Sequence, residues 1–151
     1  MPWIDIKKNI KNQIITFVLE AEIQSQNGEI HLWTIKNKKN SELIGLIGVD
    51  KMTHQGGDLN FGYWVKHSFQ QKKIATNAIP KVILWLSKFH NSKNLEITVN
   101  PENIAGIATC KHIINKLNLD CDKYKKTILN HNKNDLVYHT YIIPLKNIFW
   151  K

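Results

Sequence analysis

The sequence predicts an α/β fold, a mixed sheet flanked by helices, on three observations. Apolar residues alternate at period two in short runs and recur at helical spacing in longer ones. The runs follow one another as helix, three strands, helix, strand, helix, two strands. A chain of 151 residues is long enough to enclose a hydrophobic core and short enough for one domain, so residues 1–151 are expected to fold as a unit.

The elements follow in order. Residues 9–26 set Ile10, Ile14, Phe17, Val18 and Ala21 on one helical face, and Gly28 beyond them suits a helix stop. Residues 29–35 alternate as a strand. Residues 43–50 and 58–65 read as an antiparallel pair joined around Gly56-Gly57. From residue 74 to 89 the spacing predicts a helix striped by Ile74, Ala78, Val82, Trp85, Leu86 and Phe89. Pro80 is expected to kink that helix or delay its regular start. Residues 95–99 form a strand. Residues 103–117 form a second amphipathic helix with Ile107, Cys110, Ile114 and Leu117 along one side. Residues 119–129 and 136–143 read as a closing pair of strands, with Asn130, Asn132 and Asn134 marking their turn.

Composition excludes several classes. Apolar content of 42% is ordinary for a soluble globular protein. No apolar run nears the ~20 residues of a bilayer-spanning helix, and no basic segment followed by an apolar stretch opens the chain. A cytoplasmic protein without membrane contact is therefore expected. Cys110 and Cys121 are too few and too loosely spaced for a disulfide framework or a zinc site. The seven His residues show no metal-ligand spacing, so no metal is expected. The formal net charge is +9, and all 21 basic residues are Lys. Arg is the side chain suited to bidentate phosphate and guanine contacts, and its absence argues against specific nucleic-acid binding. Nonspecific binding of nucleic acid through Lys is the weaker alternative, and a steep salt dependence would mark it.

The segment from Leu43 to Ala78 is the most informative. Phe61-Gly62-Tyr63-Trp64-Val65 ends a strand, a polar loop follows, and Gln70-Gln71-Lys72-Lys73-Ile74-Ala75-Thr76-Asn77-Ala78 opens a helix. This resembles the central motif of the GNAT superfamily of N-acetyltransferases, in particular its ribosomal-protein branch. There a Gly-Tyr-Trp strand, a loop of the form Gln-Gly-x-Gly-Ile-Ala-Thr-Glu-Ala and a long helix succeed one another. Gln71 and Lys73 stand where the family has its two loop glycines. Lys116-Leu117-Asn118-Leu119 is similar to the family's Lys-Leu-Gly-Phe, and Asn134 to Tyr138 is similar to its Asp-x-Val-x-Tyr strand. The resemblance implies a GNAT-like, centrally splayed sheet, acetyl-CoA as cosubstrate, and N-acetylation of an amine such as a protein N-terminus. In the family a strand and a helix precede a Pro-Trp element. Here Pro2-Trp3 open the chain, which implies an N-terminally shortened fold. An unpaired edge at residues 29–35 and an apolar face on the first helix would then seek cover in a homodimer, with the Phe149-Trp150 tail as a further contact.

The resemblance also implies roles for individual residues. The loop backbone of Gln70, Gln71, Lys72, Lys73, Ile74, Ala75 and Thr76 would cradle the pyrophosphate at the helix N-terminus. Gln71 and Lys73 would have to accept the positive φ that glycine takes readily. The backbone of Trp64, Val65 and Lys66 would pair with the pantetheine arm as an added strand. Asn60 takes the place of a common strand Glu and cannot serve as a base, which leaves Glu96 as the candidate base; a surface strand Glu is the alternative. Gly106 or Cys110 falls at the position of a family Ser near the CoA sulfur, so Cys110 is the candidate acid, against a plain core Cys. Tyr124 is a further candidate without a definite place. Asn103 matches a family Asn and can cap the following helix. The same departures also fit a member that has lost turnover and serves as a binding or interaction module.

Overall fold

The computed structural model describes residues 7–131 and 134–146. Pro2-Trp3, Asn132 and the Phe149-Trp150 tail lie outside the described residues. Six strands form one sheet: β1 (Ile30–Lys36), β2 (Leu43–Asp50), β3 (Leu59–Val65), β4 (Asn94–Val99), β5 (Lys125–His131) and β6 (Asn134–Pro144). Their order is β1-β2-β3-β4-β6-β5. Three helices flank the sheet: α1 (Ile10–Gln26), α2 (Ile74–Phe89) and α3 (Ile104–Lys116). A short 3-10 turn, His67–Phe69, precedes α2.

One strand pairing shapes the molecule. All neighbours are antiparallel except β3 and β4, which run parallel and pair only through Leu59–Leu95, Asn60–Glu96 and Phe61–Ile97. Past Phe61 and Ile97 the two strands part. Gly45 supports β3 beyond the fork: a Cβ there would lie 2.3 Å from the Trp64 carbonyl oxygen, so only glycine allows β2 to approach so closely.

The core lies between one sheet face and the helices α2 and α3. Leu59, Phe61, Leu95, Ile97, Tyr141 and Ile143 meet Ile79, Val82, Ile83 and Leu86 of α2 and Cys110, Ile113 and Ile114 of α3. Strand alternation turns Asn60, Gly62, Glu96 and Thr98 to the opposite face.

Three sequence expectations need correction. The buried stripe of α2 runs through Ile79, Val82, Ile83 and Leu86, while Trp85 and Phe89 turn outward. Trp85 leaves the core because β1 offers it aromatic partners, with ring centroids 5.6 Å from His31 and 5.4 Å from Trp33. The helix also continues unbroken across Pro80. The second correction concerns α1. Its ends are as expected: Asn9 Oδ1 accepts from Asn12 N, and Gly28 sits at φ 69° with Glu29 N donating to Gln24 O. Yet only Ala21 is buried, and Ile14, Val18 and Ile23 remain 42–60% exposed. The helix lies against β1 with Ala21 buried and Phe17 half-buried. Third, β5 begins at Lys125, not at residue 119. Residues 119–124 form a turn in which Asp120 Oδ1 accepts from Asp122 N and Lys111 bridges to Asp122 at 2.7 Å.

Candidate functional site

The fork between β3 and β4 opens into a cleft of 720 Å³. Gly62, Tyr63, Trp64 and Val65 line one side, and Ile97, Thr98, Val99 and Asn100 the other. The loop before α2 and the first half of α3 close it. Past the last β3–β4 pair the facing backbones no longer bond one another, so an extended ligand can enter between them as an added strand.

The α2 end of the cleft presents a helix N-terminus behind a strained loop. Gln71 and Lys73 both adopt the left-handed conformation, at φ 59° and 57°. Lys73 is the N-cap residue and offers no side-chain cap; the first turn closes with Asn77 N donating to Lys73 O. The N–H groups of an opening helical turn have no intrahelical acceptor, and they lie at the positive end of the helix dipole. Gln70 braces the loop by donating from Nε2 to Val65 O at 3.0 Å. Ile74, Ala75 and Thr76 also line the cleft.

Two lysines assigned to this site from the sequence turn their ammonium groups elsewhere. Lys72 donates to Ser68 O at 2.9 Å and lies 5.2 Å from the Phe69 ring centroid. Lys66 bridges to Glu42 at 2.5 Å, and that hydrogen bond pulls the Glu42 carboxyl below its usual range. Neither lysine lines the cleft, whereas Lys73 does.

The α3 wall carries the protic groups. Asn103 caps the helix, its Oδ1 accepting from Gly106 N at 2.9 Å. Gly106 leaves room for this cap: a Cβ would meet Asn103 Nδ2 at 2.6 Å and Val99 Cγ2 at 2.9 Å, and those side chains would have to shift. Cys110 lines the cleft floor and is buried, which pushes its thiol up to about 12. Burial likewise raises the Tyr63 phenol, a shift opposed in part by a hydrogen bond with Thr109. At neutral pH both side chains therefore hold their protons and are available as hydrogen-bond donors.

Glu96 is not brought to the cleft. It is fully buried, and its carboxylate accepts from the backbone N–H groups of His54, Gln55 and Gly57 at 2.8, 2.9 and 2.9 Å. It thereby fixes the 51–58 connection over the open sheet face. A carboxylate held by three amides and closed to solvent has no access to an amine in the cleft. Among the described residues no Asp or Glu lines the cleft. Asn60 donates to Asp50, and Tyr124 stacks on His139 at 3.8 Å, outside the cleft lining. Thr109 and Tyr138 line the cleft and were not singled out from the sequence. Tyr138 lies in the run that resembles a family strand, so a signal existed there; Thr109 had none beyond its place beside Cys110.

Comparison with known proteins agrees with this fold. Residues 1–113 match the family described as acetyltransferase (GNAT) domain. No curated protein sequence matches the chain. Among solved structures, the fold is similar to the microcin C7 self-immunity acetyltransferase MccE in complex with acetyl-CoA and AMP. The TM-score is 0.71 at 23% identity, covering 95% of this chain and 76% of that one. RimJ from Mycobacterium smegmatis, in complex with CoA-disulfide, gives a TM-score of 0.71 at 18% identity, covering 95% and 67%. A chimera of Vibrio cholerae spermidine N-acetyltransferase SpeG and hSSAT gives 0.68 at 12% identity, covering 93% and 82%.

Proposed function

Because the chain belongs to the GNAT acetyltransferase family, we propose that it transfers acetyl from acetyl-CoA to an amine, with a protein N-terminus as the acceptor class. The observation that carries the cosubstrate is the pair of left-handed residues, Gln71 and Lys73, at the mouth of the cleft. Nothing in local propensity favours two non-glycine residues there, each at a cost of ~1–2 kcal/mol. They keep the loop in the shape that turns the first amides of α2 toward a pyrophosphate. The fork between β3 and β4 then takes the pantetheine arm, beside the backbone of Trp64 and Val65. Solved complexes of similar fold with acetyl-CoA or CoA support this reading.

Chemistry in the cleft rests on positioning and hydrogen bonding. The amine must arrive unprotonated, since no described carboxylate reaches it. Holding amine and thioester together supplies the main acceleration. Cys110 and Tyr63, both protonated at neutral pH, offer hydrogen bonds to the departing sulfur, and the proton that the sulfur gains is the one the amine loses. The protein N-terminus as acceptor rests on the likeness to ribosomal-protein acetyltransferases and on the ~8 pKa of an α-amino group, far below that of a lysine. Incubation with acetyl-CoA and a set of peptides, followed by mass spectrometry, tests it. A gain of one acetyl group on peptide N-termini is expected; acetylation of lysine or polyamine alone rejects the acceptor class.

The second reading is a member that binds the ligand without turnover. The commitment of Glu96 to the 51–58 connection favours it, because the candidate base from the sequence is unavailable. Acetyl-CoA binding without any product would establish it. A cytoplasmic location and a single domain over residues 1–151 accompany both readings.

A further inference from the structure

Three threonines form a hydroxyl chain that begins in the cleft and ends inside the sheet. Thr98 Oγ1 lies 2.9 Å from Thr140 Oγ1, and Thr140 Oγ1 lies 2.6 Å from Thr127 Oγ1. Thr98 is half-buried and lines the cleft. Thr140 is fully buried, and Thr127 nearly so. Thr98 is also the first residue of β4 beyond the last β3–β4 pair, Phe61–Ile97, so the residue stands at the vertex of the fork.

The direction of the chain follows from counting protons. Each hydroxyl has one proton to donate and lone pairs to accept. If Thr98 donated to Thr140 and Thr140 to Thr127, the Thr127 proton would be left in a buried site. Thr127 has no other hydrogen-bond partner among the described residues, and a buried donor without an acceptor is costly. In the opposite direction Thr127 donates to Thr140 and Thr140 to Thr98. Every buried proton is then used, and the Thr98 proton is left to point into the cleft. Successive donors polarise one another, which makes the last one a better donor.

On the functional reading above, we infer that Thr98 is the side-chain donor to the acetyl carbonyl oxygen, with Thr140 and Thr127 as the positioning residues that aim it. An attacking amine needs its lone pair free for the carbonyl carbon, so the carbonyl oxygen is the group that a hydroxyl donor suits. In the transfer the N–C bond forms and the C–S bond breaks; the amine loses one proton and the departing sulfur gains one, so no further reactant is needed. Negative charge collects on the carbonyl oxygen in between, where a fixed donor stabilises it.

The test compares acetyl-CoA with free CoA, which lacks that oxygen. Titration calorimetry on the wild type, Thr98→Val, Thr98→Ser and Thr140→Val reads the difference without an acceptor. Thr98→Val should lose about fivefold in acetyl-CoA affinity and nothing in CoA affinity, as expected for one neutral hydrogen bond. Thr98→Ser should keep the preference. Thr140→Val leaves the cleft surface intact and should lose part of it, so it carries the test if Thr98→Val does not fold. A variant set that binds both ligands like the wild type, or loses both equally, overturns the assignment. Failure of the wild type to bind either ligand overturns the functional reading itself, and the assignment with it.

Discussion

Replacing Gln71 by glycine tests the strained cradle. Gln71 sits at φ 59° and is exposed, so glycine removes little packing. Relief of the left-handed strain returns ~1–2 kcal/mol. The freer unfolded chain takes back ~0.4–1 kcal/mol, leaving a gain of about 0.5–1 kcal/mol. For a chain of this size that raises Tm by roughly 1–4 °C. Loss of the Cβ also lets backbone approach the phosphates, so acetyl-CoA affinity should tighten by roughly two- to threefold. Gln71→Ala is the control, because alanine is as strained there as glutamine. Thermal unfolding and titration with acetyl-CoA read both effects. A gain from alanine equal to that from glycine, or a glycine variant less stable than the wild type, would refute the reasoning.

Other outcomes follow from the same structure. Glu96→Gln keeps one acceptor for the three amides but removes the charge, so it should destabilise by about 1–3 kcal/mol; an unchanged Tm alongside lost activity would restore Glu96 as a base. Cys121 is half-exposed and Cys110 buried, so a thiol reagent at pH 8 should label one site rapidly and the other only on unfolding. The raised Cys110 thiol stays protonated in the fold after it ionises in the unfolded chain. Its contribution is complete below pH ~9 and is lost as pH rises toward 12, and Cys110→Val should flatten the decline in that window. The exposed apolar residues of α1 and the edge position of β1 favour self-association. Light scattering should show mass rising with concentration up to ~100 μM, a rise that Val18→Glu abolishes; a constant monomer mass counts against it.

How far the sequence disclosed the structure depends on the range of the interaction. The bounds of α2 and the β2–β3 pair were readable because periodicity, turn and alternation signals are local. The left-handed demand on Gln71 and Lys73 was readable by comparison with a glycine pattern, and both residues meet it. Burial was less legible. The outward turn of Trp85 depends on β1, far away in sequence, and the apolar stripe on α1 says nothing about whether a surface is there to receive it. Glu96 shows the limit most clearly: the sequence leaves it as a candidate base or a surface strand Glu, and only the path of residues 54–57 decides that three amides close around it. The threonine chain was hidden for the same reason, since Thr98, Thr127 and Thr140 meet only when β4, β6 and β5 lie side by side.

We propose that a loop without glycines still holds acetyl-CoA in the fork of the sheet. Calorimetric titration of the protein with acetyl-CoA at low salt measures it most directly. Saturable binding at a 1:1 ratio is expected, weakened only modestly by Lys72→Ala, because the ammonium of that residue turns away to Ser68 and Phe69. The absence of heat and of any thermal shift at millimolar ligand would rule out acetyl-CoA as the cosubstrate.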